Sequence, residues 1–341
     1  MNLRSSIEGL GLRALTAIPA PVARTLTGGP TVLDGQTLAA DLQIMLKVQG
    51  LLRREDPDAP IEQVRRSMRA DAEMAGGHQP IGEVRDISIA HSRARHYLPS
   101  APLVPAGQPG PVLLFIHGGG WIEGDIDTHD APCRLLAERS GVPVISVTYR
   151  LAPEEQFPAA HDDAYAALRD VHERAAELGV DPQRIAVGGD SAGGNMAASI
   201  AIDAARDGLP VAFQLLIYPM TDGDHAGESY RRFSHGFYLT EEFMDRAERS
   251  YTPERSQLLD PRMTVVRAEL PDGLPPAYVC TAGFDPLRDE GEAYAAALVE
   301  AGCRVELRRF EDQIHGFVNM LLLPSCRRAT EEIADRLRAA V

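Results

Sequence analysis

Gly189-Asp190-Ser191-Ala192-Gly193 sets a serine between two glycines, each two residues away. A serine hydroxyl attacks a carbonyl carbon only when a neighbouring base takes its proton. The two glycines remove side chains that would crowd a tight strand-to-helix bend. A serine on that bend projects at a helix start, where unpaired N–H groups favour negative charge. Ile185 to Gly189 reads as the strand and 192–207 as the helix, which is the setting the motif requires.

A tetrahedral intermediate carries an oxyanion, and preorganised backbone donors hold it without rearrangement, each worth about 3–4 kcal/mol. His117-Gly118-Gly119-Gly120-Trp121 offers such donors directly after an apolar run, Val112 to Ile116. A phosphate loop would end in Lys followed by Ser or Thr, and this one ends in tryptophan. The N–H of Ala192, next to the nucleophile, completes the expected set.

Of ten histidines only His225, His235 and His315 follow Ser191. Serine hydrolases built on this bend run in the order serine, acid, histidine. His225 and His235 fall in a polar stretch and read as solvated loop residues. His315 follows the last expected strand, Val305 to Phe310, so its loop reaches the sheet edge that carries Ser191. The acid must lie between. Asp285 comes first after the strand Ala277 to Ala282, and Pro286 fixes its turn. Asp289 and Glu290 read as caps of the following helix. The triad is therefore Ser191, Asp285 and His315.

Positioning these groups takes a regular scaffold. Val84 to Ala90 and Ser92 to Leu98 read as short strands. After Val112 to Ile116, strands at 144–149, 185–189, 213–218, 277–282 and 305–310 alternate with helices at 130–140, 159–178, 192–207, 291–301 and 326–340. That alternation predicts a largely parallel α/β sheet covered on both faces. Residues 1–80 lean to helix and hold no strand-like run, with Leu42, Ile44, Met45, Val48 and Leu51 at helical spacing. The alternation fails at 221–270, a polar stretch with a helix expected at 240–251; an interruption of that length reads as a functional insertion.

The net charge of −15 excludes the basic face that nucleic acid needs and any electrostatic hold on anionic lipid. No apolar run is long enough for a membrane span. Arg13, Pro19 and Pro21 interrupt the N-terminal apolar stretch, so it reads as a helical arm and the location as cytoplasmic. The four cysteines show no metal-ligand spacing and read as free thiols, Cys280 and Cys303 being small buried residues. Neither metal nor cofactor is expected. A homodimer is compatible with the sequence.

The pieces His117-Gly-Gly-Gly120, Tyr149-Arg-Leu-Ala-Pro-Glu154, Phe157-Pro-Ala-Ala160, Gly189-Asp-Ser-Ala-Gly193, Asp285-Pro-Leu-Arg-Asp-Glu290 and His315-Gly-Phe317 stand in one order over roughly residues 110–320. Together they resemble the bacterial hormone-sensitive lipase family of carboxylesterases, in the branch with Asp before the nucleophile. The resemblance implies an α/β-hydrolase fold with an eight-stranded sheet and a helical cap. The segments would be 1–80 (cap), 81–220 (core), 221–270 (cap insertion) and 271–341 (core). It implies hydrolysis of short- to medium-chain carboxylic esters, a small-molecule substrate, and no cofactor. The oxyanion donors would be Gly119 with Gly118 or Gly120, plus Ala192, with His117 orienting the loop. Asp190 and Asn195 read as ties between the bend and its neighbours. Trp121 reads as pocket lining or as packing. Asp312 departs from the family, which carries glycine there; it is expected to face solvent. An amidase or formamidase would use the same triad. Plant gibberellin receptors resemble the family without the catalytic histidine, which is present here.

Overall fold

Gly110–Ile116 is buried at all seven positions, as a strand must be when helices cover both of its sides. It is β3 of one eight-stranded sheet in a computed structural model that describes residues 18–52, 59–105 and 107–341. The other strands are β1 (Glu83–Ile89), β2 (Ser92–Leu98), β4 (Val144–Val147), β5 (Val180–Asp190), β6 (Phe213–Ile217), β7 (Ala277–Phe284) and β8 (Val305–Ile314). Their spatial order is β8-β7-β6-β5-β3-β4-β2-β1. β1 pairs antiparallel with β2, and β2 with β4; every other pairing is parallel.

Side chains alternate between the two faces, and each face has its own core. Leu114, Ile116, Val187 and Leu216 pack with the helices Ala159–Glu173, Ala192–Asp207 and Arg288–Glu300. Phe115, Ala186, Ile217 and Cys280 pack with Asp130–Ser140 and Pro324–Ala340. All four cysteines are free and buried. Among the described residues no helix is long and apolar enough to cross a membrane.

Several elements differ from expectation. The 159–178 helix breaks at Arg174 into Ala159–Glu173 and Ala175–Leu178. β5 begins five residues early, because Val180 already pairs with Gly110 ahead of a register shift. β8 runs on to Ile314 through an irregularity after Phe310. Residues 1–80 are not purely helical. Besides Ala20–Thr27, Ala40–Leu52 and Ile61–Gly76 they hold a hairpin, Val32–Leu33 against Gln36–Thr37. Asp34 and Gly35 both take positive φ, which this two-residue turn demands. Gln36 Nε2 donates to the carbonyl of Gly283 at 3.2 Å, fixing the hairpin to the end of β7. The first part of the N-terminal arm lies outside the described residues.

Candidate active site

Strand register brings the chemistry together. Ile116 pairs with Gly189 across β3 and β5, so His117 and Asp190 leave the sheet side by side. Asp190 pairs with Ile217, the last residue of β6. Two strands further on, Ile314 pairs with Phe284, so Asp285 and His315 step off neighbouring strand ends. All of them meet at the carboxyl edge of the sheet, where open α/β sheets place their sites.

Ser191 takes φ 55° and ψ −120°, a strained conformation for a residue with a side chain. The bend closes because glycine stands on both sides. A Cβ at Gly189 or at Gly193 would collide with the carbonyl oxygen of Ile116. Neither neighbour is a flexible side chain that could yield. Gly193→Ala is therefore expected to cost more than about 4 kcal/mol, the range of severe backbone and packing defects. Soluble yield and the thermal melt of the variant check this; a melt within a few degrees of wild type would contradict it.

His315 Nδ1 donates to Asp285 Oδ2 at 2.8 Å, and His315 Nε2 faces Ser191 Oγ at 2.9 Å. Asp285 is fully buried, and its second oxygen accepts the N–H of Leu287 at 2.9 Å. The carboxylate fixes the proton on Nδ1 and leaves Nε2 free to accept from the serine. Tyr218 packs its ring 4.6 Å from the imidazole and directs its hydroxyl to Asp190 Oδ2. Asp312 is half-buried rather than fully solvent-facing; it accepts from Gln313 Nε2 and sits within the β8 irregularity.

Asp190 organises the glycine loop. Its Oδ1 accepts the Gly118 N–H at 2.9 Å and lies 3.2 Å from His129 Nε2. Burial would raise the Asp190 carboxyl, but the His129 imidazole and the Gly118 amide outweigh it and hold it below the usual range. This corrects one expected oxyanion donor: the Gly118 amide is already spent on a carboxylate. Among the described residues, nothing accepts from the N–H groups of Gly119, Gly120 or Ala192. His117 stacks on Tyr149 at 4.2 Å, and its Nδ1 donates to the Gly118 carbonyl at 2.8 Å. Tyr149 in turn donates to the His117 carbonyl. Burial pushes His117 down to about 4, so it stays neutral and holds the loop as a hydrogen-bonding group.

The helix Glu241–Tyr251 lies over this loop; a Cβ on Gly120 would stand 2.8 Å from Ala247 Cβ. Thr240 caps that helix by accepting from Phe243 N. Tyr251 OH donates to His161 Nδ1 at 2.9 Å, and His161 Nε2 donates to Asn195 Oδ1 at 2.9 Å. Asn195 also donates to the carbonyls of Met220 and Met263. One chain of neutral groups thus ties the helix that follows Ser191 to the segments above it. Trp121 serves both of its expected uses: it stacks on Tyr251 at 5.2 Å and lines the cavity over Ser191. That cavity is about 30 Å³ and otherwise mostly apolar, with Met220, Leu239, Phe243, Met244 and Leu287 on its walls.

His225 overturns its expectation as a solvated loop residue. Its side chain is only 8 % exposed and bridges two carboxylates, Glu290 at 2.8 Å and Glu248 at 2.5 Å. Glu290 is no simple helix cap: it is buried and accepts the N–H groups of Thr221 and Asp222. Burial opposes charge on His225, yet the two carboxylates win and raise it to about 10. Nothing in the sequence spacing of 225, 248 and 290 announces this bridge. A group raised in the folded state stabilises fully below its unfolded value of about 6.5 and loses that contribution as pH climbs through 10. His225→Gln should cost on the order of 3 kcal/mol at pH 7, the usual penalty for breaking a buried ion pair. Urea denaturation at pH 7 and at pH 10.5 should show the gap to wild type shrinking at the higher pH. A gap that widens would contradict the charged bridge.

Residues 113–319 match the family described as alpha/beta hydrolase fold. The chain is 43 % identical over 357 aligned residues to the carboxylic ester hydrolase LipN of Mycobacterium tuberculosis, covering 99 % of this chain and 93 % of LipN. It is 45 % identical over 238 residues to the carboxylesterase NlhH of the same species, covering 68 % of this chain and 74 % of NlhH. Among solved structures, an esterase of Pyrobaculum calidifontis aligns with a TM-score of 0.80 at 39 % identity, over 87 % of this chain and 99 % of that one. With the nucleophile bend, the glycine loop and the strand order in place, these likenesses leave one conclusion: the chain belongs to the hormone-sensitive-lipase-like family of the α/β-hydrolase fold.

Proposed function

We propose that the protein is a serine carboxylesterase that hydrolyses short- to medium-chain carboxylic esters through an acyl-enzyme. The observation that carries the reading is the unbroken hydrogen-bond line from Asp285 through His315 to Ser191. Ser191 Oγ attacks the ester carbonyl while His315 Nε2 takes its proton. The N–H groups of Gly119, Gly120 and Ala192 hold the oxyanion. Collapse passes the proton from His315 to the departing alcohol oxygen, and water then repeats both steps on the acyl-enzyme. No cofactor enters these steps. The relatives LipN and NlhH, a carboxylic ester hydrolase and a carboxylesterase, support the bond type.

Residues 1–80 and 221–270 act in this reading as one cap. Arg65, on the helix Ile61–Gly76, donates to the carbonyls of Ile122 and Ala152 and pairs with Glu154. Arg246 donates to the carbonyl of Ala59, linking the two halves. The apolar side chains over Ser191, Met220, Leu239, Phe243 and Met244 among them, set the acyl length. On a series of p-nitrophenyl esters, kcat/KM should peak between butyrate and hexanoate and fall by at least about tenfold at dodecanoate, since a misfitting chain loses several methylene contacts. A rate that keeps rising to dodecanoate would mark a lipase instead.

A further inference from the structure

Polar groups stand out in the mostly apolar cavity over Ser191. Glu248 and His225 both line it. Glu248 gives one oxygen to His225, and its second oxygen has no protein partner among the described residues. Glu290, behind His225, adds a second carboxylate. Burial raises the Glu290 carboxyl, while His225 and the Thr221 and Asp222 N–H groups favour its ionised form; with both carboxylates ionised around one imidazolium the wall is net negative. In the same cavity the Trp121 indole N–H is buried and unpartnered among the described residues. Trp121 is 97 % buried, its relative exposure being 3 %. The Trp121 N–H is a buried donor that an occupant with its own acceptor would satisfy, since buried polar groups otherwise lose their desolvation energy, whereas Glu248, its side chain 19 % exposed, keeps solvent access.

We propose that Glu248 is a specificity-determining residue: it favours esters carrying a cationic group near the reacting carbonyl and excludes esters carrying a carboxylate. The proposal rests on the esterase reading above. A carboxylate brought beside Glu248 in this confined space would be repelled, and a poorly hydrated ammonium would be attracted, because charges interact more strongly away from bulk water. The charged state of His225 does not cancel the wall, since Glu290 already answers that charge. The Trp121 N–H is left to hold an oxygen of the ester.

The test uses matched esters that differ only in the terminal group: trimethylammonium, tert-butyl or carboxylate. One set varies the acyl group of p-nitrophenyl esters, and a second varies the alcohol of butyrate esters. For the wild-type chain, kcat/KM should favour the ammonium over the tert-butyl ester by about tenfold in one of the two sets, and should place the carboxylate ester at least about tenfold below. Glu248→Gln should compress that spread to within about threefold in the same set. Ratios within one preparation cancel differences in active fraction. Wild-type ratios that are flat in both sets overturn the proposal, as does a spread that survives in the variant. If the variant does not fold, the wild-type ratios alone decide. Absence of turnover on p-nitrophenyl butyrate would overturn the esterase reading itself, and so is told apart from failure of the specificity.

Discussion

Ser191→Ala is expected to lower kcat on p-nitrophenyl butyrate by about 10⁶-fold, the loss seen when the nucleophile of a triad is removed. The attacking atom is gone, and among the described residues no other hydroxyl lies on the His315 nitrogen that faces it. A residual rate above the uncatalysed reaction should persist, because the glycine-loop amides and the pocket remain. Folding should survive. The hydroxyl's one hydrogen-bond partner is His315 Nε2, whereas the bend is held by the Ser191 N–H on the Ile217 carbonyl and by the flanking glycines. The variant's melting temperature should therefore stay within a few degrees of wild type. A fluorophosphonate probe should label wild type and leave the variant unlabelled. Turnover by the variant within about tenfold of wild type would sink the assignment.

Asp285→Asn should lower kcat by about 10⁴-fold with little change in KM, as expected when the imidazole is held in the wrong tautomer. The surroundings here say why. The Leu287 N–H donates to Asp285 Oδ1, so an introduced amide must keep its oxygen at that position. Its NH₂ group is then forced to the place of Oδ2, facing His315 Nδ1. Nδ1 must accept, the ring proton moves to Nε2, and Nε2 can no longer take a proton from Ser191. Steady-state kinetics at pH 8 checks this. Loss of less than about tenfold would show that the orientation is set by something other than Asp285.

The geometry of the candidate site is legible in the sequence because each part is short and has a physical reason. Gly189 and Gly193 are needed where the Ile116 carbonyl approaches the bend, and Asp285 and His315 each follow the last residue of a strand. The alternation of apolar runs with amphipathic helices likewise predicts the α/β sheet. Long-range partners were not legible. The Gly118 amide looks like its neighbours until Asp190, 72 residues away, is seen to claim it. His225 sits in a polar run and reads as solvated, yet Glu248 and Glu290 come from separate helices to enclose it. The Asp34-Gly35 turn is masked in the sequence because the apolar spacing around it belongs to helices.

The space above the nucleophile, about 30 Å³, is roughly the share of one liquid water molecule. In the esterase reading, the side chains around that space must make room before an ester is seated on Ser191. The helix 241–251 is held along its length, by the Glu241 N–H on the Ser234 carbonyl, by Arg246 on the Ala59 carbonyl, at Glu248 by His225 and at Tyr251 by His161. Phe243 and Met244, between the first two of these ties, form part of the roof. In the esterase reading, the apolar roof of Phe243 and Met244 over Ser191 is the surface that an entering acyl chain meets first.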